Sequence, residues 1–174
     1  AYRTCRGEFD QALRDTRRGF AIADSTGNTG MMAVARQGEG YMLFDWGRLA
    51  DARELFLARF EIPGLDLEGF PFAAAYRECY LGLLDVAAGN PRSAREAAKR
   101  IEALLPAIRS DSAADGLIAA NWLALLEAEI LLAEGRSNDA IRCIANDFKL
   151  LVPSATPSLF YLNAPFTQDV LARA

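Results

Sequence analysis

Gly89-Asn90-Pro91-Arg92-Ser93-Ala94 decides how this chain is read. Glycine stops a helix, asparagine is a strong N-cap, and proline suits the first helical position, where its missing N–H would have had no partner. The stretch is therefore one helix ending and another beginning. Its glycine-to-alanine spacing recurs at Gly7 and Ala12, at Gly47 and Ala52, and at Gly135 and Ala140. Successive glycines lie 40, 42 and 46 residues apart, a period of stacked helical hairpins and not of one closed domain.

Working outward, the apolar pattern predicts a helix from Ala73 to Ala88 before the motif and one from Pro91 after it. The second carries Ala94, Ala97, Ala98, Ile101, Leu104 and Leu105 at helical spacing, with Pro106 near its end. Asp111 or Ser112 is expected to cap the next helix, which runs to about Glu134; Asn121, Glu127 and Glu129 within it argue for burial between helices and against a membrane span. Ser137 is expected to cap a helix with Ala140, Ile141, Ile144, Phe148 and Leu151 as its stripe.

Towards the N-terminus, helices are expected over Cys5 to Asp24, over Met31 to Trp46, and from Leu49 to Phe60. The loop Ser25-Thr26-Gly27-Asn28-Thr29-Gly30 lacks the lysine of a phosphate-binding loop and reads as a helix-ending turn. Residues 61–72, with Pro63, Gly64, Gly69 and Pro71, form the longest predicted connection. Pro153 to Pro157 is the last break, and a final helix starts near Ser158.

These positions resemble a tetratricopeptide repeat. Leu81-Gly82, Gly89, Ala94 and Pro106 match that family's Leu-Gly, turn-Gly, Ala and Pro positions. Gly7-Glu8-Phe9-Asp10-Gln11-Ala12 resembles its turn and second-helix start, and Gly40, Gly47, Leu49, Ala52 and Phe56 match in the second unit. Ala128 stands where the third matched unit would have glycine, and the period exceeds the family's usual length of about 34. The resemblance implies an all-α fold, a right-handed α-α superhelix of antiparallel helix pairs over residues 1–174. The array is expected to be incomplete at both ends, its terminal apolar face (Leu159, Phe160, Tyr161, Leu162, Phe166, Val170, Leu171) covered by more chain or by another copy.

Composition bounds the function. The net charge is −4 and the pI near 5.0, so neither nucleic acid nor a membrane is an expected partner. The chain has no histidine, which removes Ser-His-Asp and Cys-His arrangements and the commonest transition-metal ligand. Cys5, Cys79 and Cys143 show no paired spacing and read as small packed residues in a reducing, cytoplasmic setting. Neither an enzyme nor a cofactor is expected.

In the family, the first helix of each pair lines a concave groove. The resemblance places Val34, Gln37, Tyr41 and Asp45 there from one unit, Tyr76, Cys79 and Leu83 from the next, and Trp122, Leu125 and Glu129 from the third. Such an apolar groove is expected to take an amphipathic helix or apolar peptide. The first functional expectation is a non-catalytic protein-interaction scaffold that contacts a protein or peptide and self-associates through open ends. The alternative is a ligand-sensing segment of a larger bacterial transcription regulator or signalling kinase. The plain competing reading of the same residues is that they pack between neighbouring helices.

Overall fold

The computed structural model describes residues 8–59, 70–147 and 173, and every regular element among them is an α-helix. In chain order these are α1 (Phe9–Ser25), α2 (Thr29–Asp45), α3 (Leu49–Arg59), α4 (Pro71–Ala87), α5 (Pro91–Asp111), α6 (Ala113–Ala133) and α7 (Ser137–Asp147). The Gly7 turn, the connection after Arg59 and the expected helix from Ser158 lie outside the described residues.

The motif at Gly89 is a helix-to-helix turn built from hydrogen bonds. Gly89 has φ 76°. Its N–H donates to Val86 O and the Asn90 N–H donates to Asp85 O, so the last carbonyls of α4 are satisfied. Asn90 Oδ1 then accepts from the Ser93 N–H at 3.4 Å, and the Ala94 N–H closes the first turn of α5 onto Asn90 O. A hydroxyl staple joins the two sides, with Ser93 Oγ donating to Asp85 Oδ2 at 2.6 Å.

The same bonds recur around Gly47 (φ 78°) and Gly135 (φ 74°). The alanine five residues on closes the next helix each time, and Ala52, Ala94 and Ala140 are all fully buried. Its recurrence in the sequence thus has one cause: it is the fourth residue of each second helix, set against the helix before it. The turn at Gly27 (φ 65°) between α1 and α2 has the same paired bonds, the Gly27 N–H donating to Asp24 O and the Asn28 N–H to Ala23 O. A glycine-to-alanine search passes over it because Met32 occupies the alanine position.

Several boundaries differ from expectation, and α4 starts at Pro71, two residues before Ala73. Asn28 caps α2, accepting from the Met31 N–H at 3.0 Å, so that helix starts at Thr29 rather than Met31. Ser137 is the first residue of α7 and not its cap: the Ala140 N–H bonds to Arg136 O, and the Arg136 side chain reaches Asp139. Pro106 lies inside α5, which continues to Asp111. Ser112 alone links α5 to α6, its hydroxyl accepting from the Asp115 N–H at 3.2 Å.

The backbone gathers into two compact units, residues 1–70 and 71–174. In the first, α2 packs against both α1 and α3. Gly40 of α2 faces Phe56 of α3, where a Cβ would meet the ring at 3.2 Å. In the second, α4 packs on α5, α5 on α6, and α6 on α7, while α4 also packs directly on α6. Leu125 and Ala128 of α6 meet Ala140 and Ile144 of α7 in one apolar cluster. Helix α6 is long and apolar enough to cross a membrane, yet Asn121 and Glu129 are buried along it against its neighbours.

Candidate functional site

The ten groove positions divide between the two units. In unit 1 they lie along α2 at helical spacing. Val34 is 52% exposed and Asp45 is exposed, whereas Gln37 and Tyr41 are half-buried. The Tyr41 ring meets Phe56 edge-on, with centroids 5.7 Å apart, so one side of this tyrosine belongs to the α2–α3 contact. Met31 stands three residues before Val34 on the helix and is 53% exposed. Sequence reading did not single it out, although the spacing is the signal that places it beside Val34.

In unit 2 the corresponding residues are buried. Trp122 is 3% exposed; its ring lies 5.2 Å from Tyr76, near perpendicular, and 4.8 Å from Phe72. Tyr76 also packs on Tyr80, at 4.6 Å. Cys79 is fully buried, its thiol directed at Trp122 O at 3.7 Å, and Leu83 and Leu125 are buried too. The structure brings Tyr76 and Cys79 of α4 and Trp122 of α6 together as packing between two helices, whereas Leu125 packs against α7. Burial pushes the Cys79 thiol and the Tyr80 phenol well above their ordinary pKa values, which holds both neutral.

Buried carboxylates on these first helices are each matched by arginine. Glu129 accepts from Arg173. Glu78 is held by Arg77 at 2.9 Å and by Arg100 of α5 at 2.8 Å. In unit 1, Glu39 is 4% exposed and accepts from Arg17 of α1 at 2.7 Å. A buried charge needs such a partner. Among the described residues, no group of three cysteine, aspartate or glutamate side chains is placed to hold a metal ion.

A second feature was not read from the sequence. Unit 1 contains a pocket of about 370 Å³ between α1, α2 and α3. Helix α1 contributes Arg17 and Phe20, and α2 contributes Arg36, Glu39 and Leu43. Arg48, Asp51, Glu54 and Leu55 complete it from the start of α3. Within each helix these are positions three or four apart, so each helix presents one face to the cavity. Arg17 is paired with Glu39, and Arg48 Nε donates to Asp51 at 2.6 Å. Arg36 has its guanidinium 4.1 Å over the Phe20 ring.

The chain matches no protein family, no curated protein and no solved structure with which it was compared.

Proposed function

We propose that this chain is a non-catalytic segment of a tetratricopeptide-like superhelix that binds a partner polypeptide. The observation that carries the reading is the accessible face of α2. Met31 and Val34 are each more than half exposed, one helical turn apart, with Gln37, Tyr41 and the exposed Asp45 continuing the line. Apolar side chains at that spacing suit the i, i+3 and i+4 anchors of an amphipathic helix, and Asp45 favours a basic residue at one end of it. The hairpins joined by repeated glycine turns, and the packing of α4 on α6 as well as on α5, support a stacked array.

A library of amphipathic helical peptides selected on the parent chain tests this. Selected peptides should lose binding to Met31→Asp and Val34→Asp while both variants keep their helical content. Peptides that bind both variants as well as the parent would remove α2 from the reading. A failure to select any peptide would remove the polypeptide partner.

The pocket of unit 1 favours a second reading, a ligand-receiving segment of a regulatory protein. Its charges come from three helices and surround apolar side chains, the composition of a small-molecule site.

A further inference from the structure

We infer that the pocket of unit 1 receives a small zwitterion with an apolar body, the class of an apolar α-amino acid; the inference rests on the ligand-receiving reading. Three cations and three anions line the pocket. Two of each are committed to one another, Arg17 to Glu39 and Arg48 to Asp51. Arg36 and Glu54 remain. Neither forms an ion pair among the described residues: Arg36 has its guanidinium carbon 4.1 Å over the Phe20 ring, and Glu54 is exposed on the same face of α3 as Asp51.

The contact with Phe20 holds the Arg36 guanidinium at the pocket wall, 4.1 Å over the ring, and a guanidinium can meet a carboxylate with two parallel hydrogen bonds. Glu54 is acceptor-only when ionised and suits an ammonium group. Leu43 and Leu55 line the space with them, and Leu43 is buried. A ligand with one carboxylate, one ammonium and a short apolar chain therefore uses each group that the protein's own pairing leaves over. A volume of about 370 Å³ is near the lower end for ligand pockets, which fits a molecule of amino-acid size. A dianion would leave Glu54 facing negative charge, and a purely apolar ligand would strip water from Arg36 without replacing it.

Isothermal titration of the chain with four compounds tests the assignment. L-leucine has all three groups, 4-methylpentanoate lacks the ammonium, isopentylamine lacks the carboxylate, and glycine lacks the apolar body. Leucine should bind most tightly, with each of the others weaker by about tenfold or more, the loss of roughly one charge-assisted or apolar contact. Arg36→Gln should weaken leucine and 4-methylpentanoate and leave isopentylamine unchanged; Glu54→Gln should weaken leucine and isopentylamine and leave 4-methylpentanoate unchanged.

Equal affinity for leucine and 4-methylpentanoate, or leucine binding that ignores Arg36→Gln, would overturn the zwitterion and leave the pocket a ligand site. No saturable binding by the four compounds or by a panel of common metabolites would overturn both. Arg36 also covers Phe20, so helical content is checked for each variant. Should Arg36→Gln not fold, the exposed Glu54→Gln variant and the four compounds still decide the question.

Discussion

A Cβ on Gly82 would stand 2.7 Å from Leu126 Cδ2 and 2.9 Å from Leu126 Cδ1, so α4 and α6 meet at a position with room for hydrogen alone. The Ala97 Cβ of α5 closes the same space at 3.3 Å. Gly82 is thus where three helices converge, and Leu126 is fully buried there. Gly40 stands seven residues before its turn glycine as Gly82 does, and Ala128 does the same before Gly135. All three are buried.

Gly82→Ala and Gly19→Ala should therefore have opposite signs. Alanine is preferred over glycine inside a helix by about 1 kcal/mol. At the exposed Gly19 a Cβ meets nothing within 4 Å, so the substitution should stabilise by up to about that amount. At Gly82 overpacking costs about 1–3 kcal/mol, which outweighs the helical gain. Urea unfolding of the two variants reads the difference; a Gly82→Ala protein as stable as Gly19→Ala would show that the helices are further apart than described.

Gly89→Ala tests a different cost. A Cβ there meets nothing within 4 Å, so packing predicts no effect. The backbone at φ 76° is the left-handed region, which an L-residue with a Cβ occupies at a cost of about 1–2 kcal/mol. The variant should lose about that much in thermal or urea unfolding, and Gly89→Asn should lose less because asparagine tolerates this region better. A neutral Gly89→Ala would mean the turn adopts another conformation.

These turns mark how much the sequence discloses. Glycine at a left-handed position and alanine at a close contact are local demands on residue type, so Gly47, Gly89 and Gly135 and their alanines are legible without a structure. Gly27 makes the same turn but is followed by Met32, and the match is lost. Burial of the groove positions is not local. Val34 and Trp122 both sit on first helices at regular spacing, yet only Trp122 is enclosed, because Phe72 and Tyr76 of α4 stand against it. The pocket was hidden for a like reason. Arg36 and Glu54 are ordinary surface charges until Phe20 and the pairs Arg17–Glu39 and Arg48–Asp51 show which charges are left over.

Acid should break the Arg95–Glu134 ion pair. Arg95 of α5 reaches the Glu134 carboxylate just past the end of α6, with Nε at 2.9 Å from Oε1. That hydrogen bond, with the charges of Arg95 and Arg136, holds Glu134 below its ordinary value of 4.5. A depressed folded pKa gives stability that is present above the unfolded value and lost as pH falls through the folded one. The parent should be more stable than Glu134→Gln at neutral pH, by less than about 1 kcal/mol because the pair is partly solvated. The gap should close as pH drops below 4.5. A gap that persists unchanged well below that pH would assign the effect to something other than ionisation.

Trp122→Ala and Val34→Ala separate packing from docking among the ten groove positions. Trp122 fills the contact between α4 and α6 against two aromatic rings, so its truncation should cost about 3–5 kcal/mol of stability and shift the unfolding midpoint accordingly. Val34 is 52% exposed, so its truncation should change stability by no more than about 0.5 kcal/mol. Partner binding should follow the reverse order: a helical peptide selected on the parent should weaken on Val34→Ala, while any loss on Trp122→Ala should vanish at a temperature where that variant is fully folded. If instead Trp122→Ala stays as stable as the parent and binding is lost, the tryptophan faces a partner, and the groove runs along α4 and α6 as the repeat alignment implies.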